Sequence, residues 1–422
     1  MAGIFLKRQG HHVTILEQAS SSEREGVAAG IGQTDHVKRF FEEHDHLSHV
    51  PIGVPCESVR ILNPQTTEVA SLWPYKGSTT TWDAAYYRLR ANFNGLRSSY
   101  CMDPPDLTAD AGSGMYETGK RVVDVSAPDG GKVRLTVQDV ATAQTQHREA
   151  DIVIAADGAN SSMRRQLQPS LQREEPGYVI WRGTVPTSSL SQALLDKIEG
   201  HLIAYPMRYS YIIIYTIPGN NGTLKPGERA INLAWYSWPS SRQQRDDILT
   251  DTDGRMHRTT LPKGKMKPEV WAHQLEQARR MIHPLLVEIV EKIEEPFVSV
   301  ISSFSSTKAR YFNDRLFFIG DALTQCRPHS GQGTNLAAMD AMLLSQVMNG
   351  RLTAAEWERT VLETRERERL RANVIGSWYL CSWWSIVVNL AWFGLCLGRQ
   401  LLWRWWRRLS SSQTTGSKPK SA

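Results

Sequence analysis

Arg315-Leu316-Phe317-Phe318-Ile319-Gly320-Asp321, then Ala322-Leu323-Thr324-Gln325-Cys326-Arg327, then Pro328-His329-Ser330-Gly331-Gln332-Gly333-Thr334-Asn335, is the stretch on which the fold turns. Residues 316–319 form an apolar run as short as a strand buried in a parallel sheet. The glycines that follow let a backbone approach a planar ligand closely. An Ala- and Met-rich helix is expected over 336–348. Its N-terminus would direct amides and a positive dipole end into the loop, a place for an anion or for a ring that gains negative charge. Asp321, at the strand end, is suited to accept hydrogen bonds from sugar-like hydroxyls.

These residues resemble the second flavin-contacting motif of the class A FAD-dependent aromatic hydroxylases. The resemblance implies that Gly320 and Asp321 meet the ribityl chain of FAD, and that Pro328, Gly331, Gln332, Gly333, Thr334 and Asn335 meet the isoalloxazine ring. A second stretch, the strand-like run 152–156 followed by Asp157-Gly158-Ala159-Asn160-Ser161-Ser162-Met163-Arg164, is similar to the family's Asp-Gly motif. There Asp157 accepts hydrogen bonds, Gly158 makes the tight turn, and Arg164 offers a cation to pyrophosphate or to NAD(P)H. Ser161 taken alone reads as a helix cap. Arg90 matches a helix-starting arginine that approaches FAD in relatives; Arg88 competes with it, and a solvated helix arginine is the plainer reading. Tyr178-Val179-Ile180-Trp181-Arg182-Gly183-Thr184-Val185-Pro186, with the loop above, narrows the likeness to the subgroup similar to 2,6-dihydroxypyridine 3-monooxygenase. It covers most of residues 1–350.

The resemblance implies a cycle in which NAD(P)H reduces FAD, O₂ forms a C4a-hydroperoxide, and an electron-rich aromatic ring or enol is hydroxylated. The cofactor would do that chemistry, and the protein would supply position, electrostatics and exclusion of water. His329 is the candidate catalytic residue, able to deprotonate a substrate hydroxyl or order water because an unperturbed histidine titrates at about 6.5; bracing the loop is its other reading. Arg182 and Tyr211 are the candidate substrate contacts.

Residues 2–9 read as a helix, Gly10 as its stop, and 13–16 as a buried strand ending on Glu17. This is the second half of a dinucleotide-binding unit, in which Glu17 would bind the adenosine ribose. A GxGxxG turn precedes such a helix in a complete unit and does not occur in this sequence. The expected fold is therefore α/β: a Rossmann-like FAD-binding domain, N-terminally truncated, with an antiparallel-sheet substrate domain and a C-terminal hydrophobic helix. Either Met1 lies inside a longer reading frame or the protein is naturally short.

FAD-binding parts are assigned to 1–55, 83–177 and 301–371. Hairpin 56–82 and the aromatic, β-branched runs of 178–300 form the substrate domain. A second hairpin is expected around Pro128-Asp129-Gly130-Gly131. Residues 268–293 read as one amphipathic helix.

The 422-residue chain has a formal net charge of +6, but from Arg365 onward ten basic residues stand against Glu366 and Glu368, which leaves the rest at −2. A near-neutral body argues against nucleic acid. Five cysteines without CxxC spacing imply reduced thiols and no metal. His44, His46 and His49 do not share one helical face and read as surface residues. The opening residues lack the pattern of a secretory signal.

Residues 372–398 contain no charge and include Trp378, Trp383, Trp384 and Trp392. One helix of that length would extend about 40 Å, enough to span a bilayer core. Arg365, Arg367, Arg369 and Arg371 flank one end, Arg399, Arg404, Arg407 and Arg408 the other, and Trp403, Trp405 and Trp406 suit an interface belt. The expectation is a membrane-attachment segment over 372–409, spanning or interfacial, on the cytoplasmic face of an intracellular membrane, with a disordered tail over 410–422. A helix packed on the body is the alternative. Two other functions stay open: a flavin oxidase or reductase of the same fold, and a non-catalytic, membrane-attached paralogue that does not hold FAD.

Overall fold

The computed structural model describes residues 1–21, 30–108, 111–128, 131–381 and 383–413, with side chains as far as Leu402. Its largest element is a nine-stranded sheet. The spatial order is Thr260–Leu261, Phe297–Val300, Val179–Pro186, Ala230–Ser237, Ser210–Ile217, His201–Met207, Val54–Leu62, Val69–Thr81 and Gly30–Gln33. Neighbours are antiparallel except for His201–Met207 beside Val54–Leu62.

Side-chain alternation along the strands divides this sheet into two faces. One presents Val179, Trp181, Ile212, Leu233 and Trp235 to helices Gln192–Ile198, Pro268–Met281 and Pro284–Glu291, where Leu194, Leu286 and Ile289 complete a buried core. Each Leu or Ile buried there contributes about 1.5–3 kcal/mol. Gly183 admits the close approach of this layer, since a Cβ on it would stand 2.4 Å from Ile293. The opposite face presents Tyr178, Ile180, Tyr211, Ala234 and Tyr236, which pack with Leu380. This second face meets the loop 327–332.

Two short parallel pairs stand apart from the large sheet: His12–Leu16 with Ser113–Glu117, and Val153–Ala155 with Leu316–Phe318. Helix Gly333–Met348 belongs to both surroundings. Leu336, Met339 and Leu344 pack with Phe317 and Phe318, while Ala341 packs with Ile4, Phe5, Phe40 and Phe93. A helix walled on both sides has no polar face to show, which accounts for its apolar sequence.

Within that helix lies Asp340, fully buried and paired with the equally buried Arg365. Arg365 Nε donates to Asp340 Oδ2 at 3.0 Å, and its Nη1 donates to Thr324 O at 3.0 Å. Asp340 Oδ2 also accepts from the Gly320 amide at 2.9 Å, and Asp340 O accepts from Trp357 Nε1 at 3.2 Å. Burial pushes the Asp340 carboxyl above its ordinary value, and Arg365 opposes the rise. Three elements are joined at this pair: the turn after Leu316–Phe318, helix Gly333–Met348, and helix Ala354–Leu380.

Several expectations are corrected. Residues 268–293 form two helices, Pro268–Met281 and Pro284–Glu291, because Pro284 cannot continue the first and instead opens the second. Strand His12–Leu16 is half-exposed rather than buried, since among the described residues it has one strand neighbour. Gly30–Gln33, within the part assigned to FAD binding, forms an edge of the nine-stranded sheet. His44 is half-buried against Phe5, with ring centroids 4.4 Å apart.

The largest correction concerns the C-terminal stretch. Residues 372–398 are not one helix: Ala354–Leu380 ends at Cys381 and a separate helix, Trp383–Gln413, folds back along it. Helix Ala354–Leu380 therefore crosses the expected boundary at 371. Arg365 is in the core, Arg369 pairs with Glu366 at 2.9 Å, and Arg371 pairs with Glu368 at 3.3 Å, so these residues belong to the body rather than to a membrane flank. Asp129 and Gly130 of the second hairpin turn, Ser382, residues 414–422 of the expected tail, and the side chains of the tryptophans and arginines beyond Leu402 lie outside the described residues.

Arg365→Met should destabilise the fold by about 3–5 kcal/mol, because it strands a buried carboxylate. The double variant Asp340→Leu/Arg365→Met should recover part of that loss. Urea denaturation of the wild type and both variants measures it; a mild effect of the single change would show that the pair is not structural.

Candidate functional site

The strand end at Phe318 turns through Gly320, whose φ of +61° favours glycine, into a short 3-10 helix, Gly320–Ala322. The Asp321 side chain reaches solvent. Protein mass around it nevertheless pushes its carboxyl upward by desolvation; Arg365 opposes the shift, Asp340 adds to it, and Arg164 opposes it.

Arg164 links this turn to the Asp157-Gly158 turn. Its Nη1 donates to Ala322 O at 2.8 Å and to Gly158 O and Asp321 O at 3.4 Å, and its Nη2 donates to Ala159 O. Its guanidinium lies over the Phe304 ring at 3.9 Å. Desolvation lowers its pKa to about 10, still well above neutrality. Arg164 is thus bonded to the backbones of two turns rather than extended toward a ligand. Asp157 accepts from the Ser162 amide at 2.9 Å, and Ser161 caps helix Ser162–Leu167 by accepting from the Arg164 amide at 3.0 Å. Gly158 has φ of +74°, with open space where a Cβ would stand.

Past Pro328–Ser330 the chain turns at Gly331, φ +65°, and enters helix Gly333–Met348 through Gln332. First-turn amides of a helix lack intrahelical acceptors, so Gly333, Thr334 and Asn335 direct donors toward the loop. The Asn335 side chain is committed elsewhere. Its Oδ1 accepts from the His36 amide at 2.8 Å and the Val37 amide at 3.3 Å, capping helix Asp35–His44, while its Nδ2 donates to Gln332 Oε1 at 2.9 Å.

His329 is wedged between two tyrosines. The Tyr178 hydroxyl lies 2.6 Å from its Nε2 and the Tyr211 hydroxyl 2.5 Å from its Nδ1. Both ring nitrogens are engaged by the protein, so His329 does not meet a substrate hydroxyl directly, and the bracing reading is the one the geometry favours. Gly376 makes room for the ring, since a Cβ there would stand 2.6 Å from it. Tyr211 is stacked between Tyr236 and Tyr379, at centroid distances of 4.5 and 4.6 Å.

Arg182 lies on the same sheet face as Tyr178 and Ile180, by alternation along Val179–Pro186. Register puts it in one row with Ala234 and Ile213, between the Ile180–Tyr236–Tyr211 row and the Thr184–Asn232–Tyr215 row. Tyr215 donates to Gly30 O at 2.7 Å and Asn232 accepts from the Gly30 amide at 3.0 Å, which fixes strand Gly30–Gln33 beside Gly331. Gly30, Gly32, Tyr215, Tyr236 and Gly376 were not singled out from sequence, and Tyr178 only as part of the 178–186 string. The pairing of Gly30 and Gly32 two positions apart was their one local signal.

Other sequence candidates lie elsewhere. Arg90 donates to Tyr86 Oη at 2.7 Å and covers the Tyr116 ring at 3.4 Å, while Arg88 pairs with Asp45 at 2.7 Å, so both arginines are held within the helix surroundings. Glu17 accepts from the Ala19 amide at 2.8 Å at the end of His12–Leu16. A cavity of about 940 Å³ lined by Arg88, Thr184, Pro186, Asn221 and Arg229 contains no residue of the flavin loop. The donor set near Asp321 is the better ligand site because it joins an accessible carboxylate to helix amides and left-handed glycines.

Those same features fit FAD at its ribityl and ring end. Asp321 would accept from ribityl hydroxyls, and the Gly333–Asn335 amides would face the ring. The described residues supply no glycine-rich cradle for the pyrophosphate.

Desolvation, with Arg327 contributing, lowers the His329 pKa to about 3 from 6.5, so the ring is neutral near pH 7. The unfolded chain takes up the extra proton first, so this residue's contribution to stability is intact above pH 6.5 and is lost as pH falls toward 3. His329→Gln should remove that dependence. The wild type's advantage in thermal midpoint over the variant should shrink from about pH 8 to about pH 5; a constant advantage would contradict a neutral, enclosed ring.

A family model described as FAD binding domain-like matches residues 176–303. The chain is 27% identical to 2,6-dihydroxypyridine 3-monooxygenase of Paenarthrobacter nicotinovorans over 359 residues, covering 82% of this chain and 79% of that protein. It is 22% identical to kynurenine 3-monooxygenase of Myxococcus xanthus, covering 89% and 73%. Among solved structures, 2,6-dihydroxypyridine-3-hydroxylase from Arthrobacter nicotinovorans superposes with a TM-score of 0.70 at 22% identity, covering 90% of this chain and 86% of that one. Klebsiella pneumoniae HpxO complexed with FAD and uric acid superposes with a TM-score of 0.65 at 16% identity, covering 94% and 89%. Sequence likeness to named hydroxylases, on an architecture their solved structures share, supports a class A flavoprotein hydroxylase, an FAD-dependent oxidoreductase.

Proposed function

We propose that this chain hydroxylates an aromatic or enolic small molecule bearing an acidic hydroxyl or carboxylate, with FAD as cofactor, NAD(P)H as reductant and O₂ as co-substrate. Arg182 carries this reading. It is half-buried and, among the described residues, its side chain makes no hydrogen bond or ion pair. A guanidinium on a face whose other side chains are uncharged suits a flat ligand whose negative charge forms a charge-assisted pair. Tyr211 and Tyr236 lie buried beneath this face, and burial pushes both phenols above their ordinary values, so they stay protonated.

FAD, when bound, supplies electron transfer from the nicotinamide and activation of O₂. The protein's part is to place the ring and exclude water. Asp321 and the helix amides hold the cofactor end, Arg164 keeps the two turns in register, and His329 ties the loop to the sheet through Tyr178 and Tyr211. Arg182 orients the substrate and favours its ionised form, which is the more electron-rich one.

With a phenolic or enolic acid as substrate, Arg182→Gln should raise KM by about tenfold to a hundredfold, the size of one charge-assisted hydrogen bond, while flavin reduction without substrate stays near wild type. Incorporation of one atom of labelled O₂ into product identifies a hydroxylase; label found only in peroxide would identify an oxidase and overturn the proposal.

A further inference from the structure

We infer that helix Trp383–Gln413 lies flat in the surface of an anionic bilayer as an in-plane anchor, an inference independent of the proposed chemistry. The helix touches the body along one narrow stripe. Asn389 Nδ2 donates to Ser377 Oγ at 2.8 Å, Gln400 Nε2 donates to Glu363 O at 3.0 Å, and Cys396 is buried between them. At its start, Trp238 Nε1 donates to Leu380 O at 2.8 Å and fixes the preceding bend.

Away from that stripe the described helix surface is apolar apart from Arg399. Trp383, Trp384, Val388, Trp392, Leu395 and Leu402 are each about half exposed or more, and Trp378 of the preceding helix extends the same exposed surface. Residues 383–402 are long and apolar enough to cross a membrane by length and composition, yet the stripe ties one face to helix Ala354–Leu380, which carries Glu363 and Glu366. A spanning helix would give up the Asn389 and Gln400 bonds; an in-plane helix keeps them and buries its other face among acyl chains.

Charge selects the occupant. No Asp or Glu follows Glu368, whereas Arg399, Arg404, Arg407, Arg408, Lys418 and Lys420 do. A second copy seated on this face would bring identical cationic segments together with no acid to neutralise them. Anionic lipid headgroups supply the missing charge, and tryptophan is the residue type that settles at the headgroup boundary.

The experiment is flotation of the full-length protein with sealed vesicles of phosphatidylcholine, with and without phosphatidylserine. Flotation is expected with phosphatidylserine and should fall steeply with salt, each basic residue changing partitioning about fivefold. Trp383→Ser/Trp384→Ser/Trp392→Ser should lose at least about tenfold in binding, and Arg399→Gln about fivefold, both with unchanged circular dichroism. A protease added outside the vesicles should still cleave the tail beyond Gln413. Failure to float, or a discrete dimer that the triple substitution dissociates, would overturn the inference, as would protection of the tail, which marks a spanning helix.

Discussion

One buried ion pair sets the geometry on which the rest depends. Asp340 receives Arg365 on its carboxylate and, on the same oxygen, the amide of Gly320. The Gly320-Asp321 turn is thereby fixed to two helices at once. Two charges taken from water repay their desolvation only when every partner is in place, so the pair acts as a test of assembly: the glycine turn, the buried helix and the C-terminal helix must all have arrived. Arg164 adds a second constraint of a different kind, joining two loops through carbonyl oxygens alone.

The two faces of the large sheet meet different partners. Its Trp181 and Trp235 face is sealed beneath helices, whereas its Tyr178, Arg182, Tyr211 and Tyr236 face meets the loop of His329. Two-residue alternation along Val179–Pro186 is enough to send Trp181 to one side and Arg182 to the other. Adjacent residues of one sequence string thus do unrelated work.

Much of this was legible because it is local. Gly320-Asp321, Gly331 and the opening of the following helix are read from neighbours in sequence, and Ser161 as a cap needed three residues of context. What stayed hidden depends on distant partners. Arg365 was counted among the basic flank of a membrane segment since nothing near it announces Asp340, 25 residues earlier. His329 looked available for chemistry because its tyrosines are 151 and 118 residues away. Gly376 looked like an ordinary residue of an apolar stretch, although its missing side chain is what the histidine ring occupies. The break at Pro284 was visible and was passed over in favour of a continuous apolar stripe.

The Tyr178–His329–Tyr211 contact also has a direction. A neutral imidazole carries one N–H and one bare nitrogen, so one tyrosine must give its proton to the ring while the other receives the ring's. The two hydroxyls are therefore unlike, although their distances are nearly the same. Reversing their roles requires both hydroxyls to rotate as the ring proton moves from one nitrogen to the other. The loop of His329 is tied to the sheet by a bond chain with two mirror arrangements, and any group that hydrogen-bonds one of those tyrosines selects between them.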